Sequence, residues 1–599
     1  MAKIYIDVMD TTFRDGFQSV FGGRVLMDDF FPAVHAAKEA GITHFEFGGG
    51  ARFQSLFFYL QENAFEMMDK FRDIVGPDAN LQTLSRGINT VMLDTGSREM
   101  IDLHAKLFKK HGTTTIRNFD ALNDVNNLKY SASTIKKYGL NHEAVVTMMD
   151  LPPGCNGAHD VAFYEKTIRE ILDSGMKFDS LCFKDASGTS SPHKIFETVS
   201  MARKLLGEET HLRFHTHETA GVSVAGYLAA LEAGANGIDM AASPVSGGTS
   251  QPDILTMLHA TKGTNYNLGD LQLNKVLKYE EELKHALRDY MIPPEATQVS
   301  PLIPFSPMPG GALTANTQMM RDSGNLDKFD DVIKAMKEVV ERGGYGTSVT
   351  PVSQFYWQQA YANVMFGPWK QIAPGYGRMV LGYFGKTPVE ADYEIIKLAS
   401  EKLNLEPTTE NPLDIADRDE NKSIAHWTKV LEDEGLETTE ENIFIAASCD
   451  QKGIAFLKGE GPLMVRKGNE NNNNGDEEMA GNYTVVVDGK TYSVQVAEGD
   501  VAIEVKETTS APKTESSAVA TLAGSTSTGS LEVLSQTPGN VWKILAKEGD
   551  SVKEGDTIMI LEAMKMEIDI IAEKDGVISS INVNVNDAVA DGQLLATME

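Results

Sequence analysis

Eight short runs of β-branched and apolar residues alternate with longer amphipathic stretches over residues 1–265. This alternation limits the fold most strongly, because parallel strands joined by helices need both sheet faces covered. Eight such units in about 250 residues are typical of a closed (β/α)₈ TIM barrel. The predicted strands are Ile4–Met9, Thr43–Phe47, Leu81–Leu84, Thr114–Arg117, Val145–Met149, Ser180–Phe183, Leu212–His215 and Gly237–Met240.

The 599 residues are too many for one hydrophobic core, and the composition changes along the chain. After the barrel (1–265), residues 266–465 contain long periodic stretches such as Leu326–Glu341 and predict a mainly helical domain. A polar linker (466–482) cannot bury a core. It leads to a β-hairpin segment (483–505), which we expect to dock a partner, and then to a Ser/Thr-rich flexible tether (506–529). Residues 530–599 predict a small all-β domain, so the expected fold class is α/β with this all-β domain at its end.

Composition excludes several classes of function. A net charge of −31 opposes binding to nucleic acid or to an anionic membrane surface. No apolar run reaches about 18 residues, and the three cysteines lack CxxC spacing, which suits a cytoplasmic protein. Gly382–Thr387 resembles a phosphate-binding loop, but Val380 stands where its first glycine is required. A step that consumes ATP would therefore need a partner subunit.

Four residues with chemically useful side chains lie at predicted strand ends, where barrel enzymes place their catalytic groups. His215 and His217 are two positions apart, so both imidazoles can point the same way and bind a divalent metal. Asp15 follows the first strand and can supply an oxygen ligand. Lys184 ends the sixth strand, and because an ammonium group cannot ligate a metal, it must be modified or act otherwise. The alternative is a packed histidine pair, which the matching positions of Asp15 and Lys184 make less attractive.

The C-terminal region contains an internal repeat. Residues 539–552 are echoed by residues 576–589, which predicts a flattened barrel of two halves related by a pseudo-twofold axis. Between them lies Ala563-Met564-Lys565-Met566, with Lys565 expected near a hairpin tip. This segment resembles the biotin-attachment motif of biotin carboxyl carrier domains, which implies covalent biotin at Lys565, attached by a biotin protein ligase. Lipoyl domains share the fold, but their lysine is not usually flanked by Met on both sides.

Motifs along nearly the whole chain resemble the carboxyltransferases of biotin enzymes that act on pyruvate or oxaloacetate. This family includes the separate B subunit of two-subunit pyruvate carboxylase, the oxaloacetate decarboxylase α subunit and the transcarboxylase metal subunit, and the first is closest in layout. The resemblance implies transfer of CO₂ from carboxybiotin to pyruvate, an ATP-dependent biotin carboxylase as partner, and a homo-oligomer. The motifs are Asp10–Gln18, Arg86-Gly87, Phe119–Asp124, Phe183–Asp185, His215–Thr219 and Pro309–Gly311.

The same resemblance implies roles for individual residues. Zn²⁺, or Mn²⁺ or Co²⁺, would be bound by Asp15, His215, His217 and the CO₂ carbamate of Lys184. The small 2-oxo acid would be held by Arg14, Gln18 and Arg86, since arginine forks suit carboxylates. Thr314 would move a proton between biotin and the substrate methyl group, with capping of a helix start as its alternative role.

Two positions depart from the family pattern. Phe17 stands where the family has His, and Leu93 stands where it has Tyr. We expect these residues to form an apolar wall of the substrate pocket, which would favour pyruvate over 2-oxoglutarate. Arg-Asp-Gly-x-Gln also echoes the isopropylmalate synthase and hydroxymethylglutaryl-CoA lyase group, whose members lack a biotin domain. The remaining alternatives are the α subunit of a sodium-pumping oxaloacetate decarboxylase with a membrane partner, a 2-oxoglutarate carboxylase subunit, and a biotin carrier scaffold with an inactive barrel.

Overall fold

The protein begins with a closed barrel of eight parallel strands, seen in a computed structural model. The structure describes residues 3–468, 481–487, 490–496, 531–535, 539–563, 566–585, 587–590 and 592–599, with the backbone alone for 481–487, 490–496, 563, 566, 567 and 588. The barrel strands are Asp7–Asp10, His44–Gly49, Asn80–Ser85, Thr115–Asn118, Asn141–Thr147, Ser180–Asp185, His211–Thr216 and Gly237–Met240.

All eight predicted strands are present, and the barrel prediction is confirmed. The first and last strands close the sheet through a parallel register from Asp7↔Gly237 to Asp10↔Met240. One boundary differs from the prediction. Ile4–Tyr5 leaves the barrel and pairs with Tyr266–Asn267, so the predicted first strand is split in two.

Helices cover the outside of the barrel and follow ordinary capping rules. Ser191 accepts a hydrogen bond from the backbone of Lys194 at the start of one helix, and Pro192 occupies its first turn. Gly234, with φ of 100°, lies just after the helix Ser223–Glu232 and ends it. The helices of this region are Phe17–Phe21, Met27–Glu39, Gly50–Ser55, Ala64–Val75, Arg98–Lys110, Asn126–Lys137, Val161–Asp173, Pro192–Leu206, Ser223–Glu232 and Ile254–Ala260.

Buried charges cross the interior of the barrel. Arg117, on the fourth strand, forms ion pairs with Glu143 (2.5 Å) and with Asp239 on the eighth strand (2.6 Å). Arg213 binds the other oxygen of Asp239 at 2.9 Å and also pairs with Asp7. Each of these buried charges therefore has a partner of opposite sign, as burial in low dielectric requires. This network links several barrel strands to one another, including the seventh, which carries part of the site described below.

The second region is helical, as expected. Its helices are Leu273–Ala286, Gly310–Asp322, Phe329–Arg342, Val352–Phe366, Pro374–Val380, Tyr393–Leu403, Pro412–Arg418, Ile424–Asp433 and Glu440–Leu457. Many of their apolar faces, including those of Met336, Trp357 and Tyr376, pack into one buried cluster. Helix Gly310–Asp322 lies against Phe17–Phe21, which brings it to the carboxyl end of the barrel strands.

The C-terminal domain consists of two four-stranded sheets, which confirms the predicted pair of halves. Gly539–Ile544 and Gly576–Ile581, the first strands of the two sequence repeats, lie in different sheets. Ala563 pairs with Met566 at the end of a hairpin. Met564 and Lys565, which separate these two residues in the sequence, lie outside the described residues. The strands are Leu531–Leu534, Gly539–Ile544, Ser551–Val552, Thr557–Ala563, Met566–Ile571, Gly576–Ile581, Ala588–Val589 and Leu594–Met598.

The predicted hairpin before the tether is also present. Gly481–Val487 and Lys490–Val496 pair antiparallel, with Val487 opposite Lys490. The predicted linker from 469 to 480 and the tether 506–529 lie outside the described residues. Among the residues that the structure describes, no helix is both long and apolar enough to cross a membrane.

Candidate metal and substrate site

The side chains of Asp15, His215 and His217 meet at the carboxyl end of the barrel strands. Asp15 lies in the π-helical turn Thr12–Gly16 that follows the first strand, and the histidines lie in and just after the seventh strand. Asp15 Oδ2 is 3.4 Å from Nε2 of each histidine, and the two Nε2 atoms are 3.2 Å apart. All three residues are buried. The structure therefore brings together three of the residues that the sequence analysis selected.

Each histidine is oriented through its other ring nitrogen. Nδ1 of His215 donates to Asp239 Oδ2 at 2.8 Å, and Nδ1 of His217 donates to the carbonyl oxygen of Thr249 at 2.7 Å. These partners assign the proton to Nδ1 in both rings, so both Nε2 lone pairs face the carboxylate of Asp15. Burial lowers the pKa of His215 well below its usual value, which keeps this imidazole neutral.

Lys184 reaches the same point from the sixth strand. Its Nζ lies 2.8 Å from His215 Nε2 and 4.0 Å from Asp15 Oδ2. Burial lowers the pKa of this ammonium group, which increases the fraction of neutral, nucleophilic amine. The geometry therefore brings together all four residues that the sequence analysis selected from the strand ends.

Arg14 and Gln18 lie beside this cluster. Arg14 pairs with Glu46 at 2.6 Å and with Asp15 at 3.1 Å. Its Nη1 donates weakly to Gln18 Oε1 at 3.5 Å, one helical turn away. Burial opposes the ionisation of Asp15, but the neighbouring positive charge of Arg14 holds the pKa of this carboxyl group well below its usual value. Asp15 is therefore an anion at neutral pH.

Arg86 lies at the end of the third strand and is held by its own loop. Its Nη1 donates to the carbonyl oxygens of Val91 and Met92. Its Nε is buried and has no hydrogen-bond partner within the part of the chain that the structure describes. Among the described residues Arg86 forms no ion pair with a carboxylate, so its charge is available to an anionic ligand. Burial, aided by the nearby charge of Arg14, lowers its pKa to about 9.

Thr314 is fully buried in the helix Gly310–Asp322. Its hydroxyl lies 3.4 Å from Thr249 Oγ1, and the backbone oxygen of Thr249 is the acceptor for His217. The helix begins after Pro309 without a side-chain cap, so the alternative capping role of Thr314 is wrong. A chain of contacts thus joins Thr314 to the histidine cluster.

The predicted apolar pocket wall is wrong for Phe17. Its ring is fully buried and packs edge-on against Phe13 and Phe30, with centroids 5.8 Å and 5.2 Å away. The ring belongs to the aromatic core behind the helix, because an apolar side chain at this position gains more from burial there. Leu93 is 39% exposed, so its side chain lies partly in solvent.

Three residues of the site were missed by sequence reasoning. Asp239 and Thr249 orient the histidines, and the buried amide of Gln251 contacts both Asp15 and His217 at 3.0 Å. Asp239 carried a signal, because a charge in an otherwise apolar buried strand needs a partner. Thr249 acts through its backbone, and no sequence pattern marks it. Lys565 lies outside the described residues, so its biotin role stays a prediction.

Comparison with known proteins gives two family matches. Residues 303–504 match a conserved carboxylase domain, and residues 530–598 match the domain of biotin-requiring enzymes. The B subunit of pyruvate carboxylase from Methanocaldococcus jannaschii is 31% identical over 570 residues, covering 94% of each chain. The 2-oxoglutarate carboxylase large subunit of Hydrogenobacter thermophilus is 27% identical over 611 residues, covering 94% of this chain and 90% of that one.

A solved structure confirms the fold independently. The carboxyl transferase domain of Rhizobium etli pyruvate carboxylase, solved with pyruvate and biocytin, matches with a TM-score of 0.68 and 23% identity. The match covers 77% of this chain and 79% of that one. The 31% identity across 94% of both chains shows that this protein belongs to the pyruvate carboxylase B-subunit family of biotin-dependent carboxyltransferases.

Proposed function

We propose that this chain is the carboxyltransferase and biotin-carrier subunit of a two-subunit pyruvate carboxylase. It would move a carboxyl group from biotin held at Lys565 to pyruvate and so form oxaloacetate. The observation that carries this proposal is the buried cluster of Asp15, His215 and His217 beside Lys184, in a chain that also has a biotin-requiring domain. An inactive scaffold would have no need to keep these charges buried together.

The donor set fits a divalent transition metal. Two neutral imidazoles and a carboxylate are ligands that Zn²⁺, Mn²⁺ and Co²⁺ accept. Two unprotonated ring nitrogens facing each other at 3.2 Å repel, and a bound cation would relieve this repulsion. The metal, when bound, would supply a Lewis acid that polarises the keto oxygen of the substrate. Asp239 and the Thr249 carbonyl would hold the two rings in their ligating orientation.

Lys184 would complete the donor set as a carbamate. Its neutral amine would add to the carbon of CO₂, form the N–C bond and release one proton, which leaves an anionic oxygen. The buried position favours the neutral amine that this reaction needs. Lys184→Ala should therefore bind metal weakly and lose carboxyl transfer, since alanine cannot form a carbamate.

The charges around the cluster favour a substrate with a single carboxylate. Arg14 is already neutralised by Glu46 and Asp15. Arg86 has a free buried donor and no carboxylate partner among the described residues, so it would bind the substrate carboxylate. A second carboxylate, as in 2-oxoglutarate, would be buried without a partner at a cost of several kcal/mol. Gln18 would contact the polar end of the bound 2-oxo acid.

Thr314 would relay the proton. Its Oγ1 is buried and, within the described part of the chain, contacts a weak neutral partner, Thr249 Oγ1 at 3.4 Å, so it is free to donate and accept. We place the proton transfer between biotin and the substrate methyl group at this atom. The enclosed surroundings would exclude water from the transfer.

The missing ATP motif implies partners. We propose a separate ATP-dependent biotin carboxylase subunit, docked through the hairpin strands Gly481–Val487 and Lys490–Val496, together with a biotin protein ligase that loads Lys565. We also propose a homo-oligomer in the cytoplasm. For an oxaloacetate decarboxylase α subunit the partner would be a membrane protein instead. Purification of the native complex and identification of the co-purifying subunit would separate these two assignments.

The function is tested by carboxyl exchange between oxaloacetate and labelled pyruvate, without ATP, on the isolated biotinylated chain. Thr314→Ala should abolish exchange and leave biotinylation intact. Thr317→Ala provides a matched control, because Thr317 is buried one turn along the same helix and its hydroxyl bonds to the backbone oxygens of Leu313 and Thr314. Failure of the parent chain to exchange label would contradict the proposal.

A second candidate substrate is 2-oxoglutarate, which the relative at 27% identity over most of the chain favours. The same exchange reaction run with 2-oxoglutarate and its carboxylated product measures this alternative directly. Exchange with 2-oxoglutarate but not with pyruvate would change the substrate and keep the roles of the cluster.

A further inference from the structure

Gln251 is fully buried between two of the proposed metal ligands. Its Nε2 lies 3.0 Å from Asp15 Oδ2 and 3.0 Å from His217 Nε2. Its Oε1 accepts hydrogen bonds from the hydroxyls of Thr11 at 2.7 Å and Ser250 at 3.2 Å. Both donors and both acceptor sites of the amide are therefore used.

The orientation of this amide is fixed by its neighbours. The ionised carboxylate of Asp15 can only accept hydrogen bonds, so it must face the NH₂ end of Gln251. The loop that carries Gln251 is also held, because the backbone oxygen of Gln251 accepts from Gly247 at 2.8 Å and that of Ser250 accepts from Glu218 at 2.8 Å. The side chain is thus presented to the cluster in one arrangement.

Gln251 and Arg14 compete for the same oxygen of the Asp15 carboxylate. Arg14 Nη2 is 3.1 Å from Asp15 Oδ2, on the same oxygen that Gln251 contacts. If the amide were removed, the strongest remaining partner of this oxygen would be the guanidinium of Arg14. The carboxylate would then turn toward Arg14 and away from the two histidines.

We propose that Gln251 is a positioning residue that holds the Asp15 carboxylate in the geometry required to bind the metal. This inference rests on the proposed function, because it assumes that the cluster binds a cation. The His217 nitrogen cannot accept a hydrogen bond and bind a metal with the same lone pair. With a metal bound, Gln251 would keep its bond to Asp15 and would give up the one to His217. The bond to Asp15 is charge-assisted and is the stronger of the two, so the net effect of Gln251 is to raise metal affinity.

The chain contains a matched control for a buried glutamine. Gln359 is fully buried in the helix Val352–Phe366 and bonds to Asn363 (2.9 Å), to the oxygen of Gln371 (3.0 Å) and to the nitrogen of Ala373 (2.9 Å). None of these partners belongs to the cluster. Gln359→Met should therefore lower thermal stability and leave metal affinity unchanged.

The experiment uses the full-length biotinylated chain after its metal has been removed with a chelator. Co²⁺ alone is titrated into the parent chain, Gln251→Met and Gln359→Met, with visible d–d absorption and chelator competition as readouts. We expect about 10- to 100-fold weaker Co²⁺ binding and an altered d–d spectrum in Gln251→Met only. Melting temperatures of the metal-free proteins are measured alongside, so that loss of fold is separated from loss of affinity.

Thr11→Val gives a second route, because it keeps Gln251 but removes the hydroxyl that orients its oxygen. We expect a smaller loss of Co²⁺ affinity in this variant, and this result decides the matter if Gln251→Met does not fold. If Gln251→Met folds and keeps the Co²⁺ affinity and spectrum of the parent chain, the inference is overturned. If Gln251→Met does not fold, the same result in Thr11→Val overturns it. If the parent chain itself binds no Co²⁺, the metal assignment in the proposed function fails, and the two failures remain distinguishable.

Discussion

Gly310 is the first residue of the helix that carries Thr314, and an alanine at this position has no room. Its Cβ would lie 1.6 Å from the carbonyl oxygen of Thr249 and 3.0 Å from His217 Nδ1. The same oxygen accepts the hydrogen bond that orients His217. A carbon needs about 3.3 Å from a carbonyl oxygen, so the two backbones would have to separate by roughly 1.7 Å.

The expected effects of Gly310→Ala follow from this displacement. Overpacking of this kind typically costs about 1–3 kcal/mol of stability. A shift of the Thr249 oxygen would also remove the partner of His217, which should weaken metal binding by about 10- to 100-fold. Thr314 would move with the helix, and displacement of a reacting group by about 1 Å can cost about 100-fold in rate. We therefore expect a folded protein with strongly reduced carboxyl exchange.

The assay compares melting temperature, metal content and oxaloacetate–pyruvate exchange of Gly310→Ala with those of a control. Gly226→Ala serves as the control, because the nearest contact of a Cβ there is the tip of the Ile195 side chain at 2.9 Å, on a helix outside the barrel. The control should keep its metal and its exchange rate. If Gly310→Ala also keeps both at the parent level, the contact between this helix and Thr249 does not govern the site, and the reasoning fails.

Three further predictions concern other parts of the chain. Lys565→Arg should abolish avidin binding and the mass increase of one biotinyl group, and avidin binding that persists would place biotin elsewhere. Burial and the nearby charge of Asp124 raise the pKa of Asp120 from 3.8 to about 7. Between these values the folded protein binds a proton that the unfolded chain does not, so this group lowers stability as pH rises from about 4 to about 7. The melting temperature of Asp120→Asn relative to the parent should therefore increase between about pH 5 and about pH 8, and a constant difference would contradict this. Phe17→His should lower thermal stability, since it buries an imidazole among aromatic rings, and should leave the ratio of pyruvate to 2-oxoglutarate exchange unchanged.

The strands were predictable because their signal is local, whereas their ends were not. Apolar runs located all eight barrel strands, but the sixth predicted strand stopped at Phe183 and the structure continues it to Asp185. A polar residue such as Lys184 interrupts the apolar run in the sequence, but the hydrogen bonds between the strand backbones continue past it. Strand ends were thus underestimated where the functional side chains lie.

The convergence of the proposed metal ligands was predictable from topology alone. In a closed parallel barrel the carboxyl ends of all strands lie at one rim, so Asp15, Lys184 and His215 had to be neighbours. The residues that orient them were not predictable in this way. Arg117 and Asp239 are 122 positions apart and pair across the barrel, a contact that only the closed register determines. The sequence does show a charged residue in a buried strand, which indicates that this residue needs a partner of opposite charge. It does not show which residue that partner is.

Phe17 shows why a motif position does not define a pocket wall. Its neighbours in sequence, Asp15 and Gln18, face the site, and we expected Phe17 to do the same. In a helical turn, however, successive side chains diverge by about 100°, so one residue of the motif can face the core while the next faces the ligand. Phe17 packs against Phe30 with its ring fully buried. Under the proposed function, substrate choice would then depend on charge instead of on an apolar wall. The guanidinium of Arg86, which has no carboxylate partner among the described residues, would pair with the single carboxylate of pyruvate.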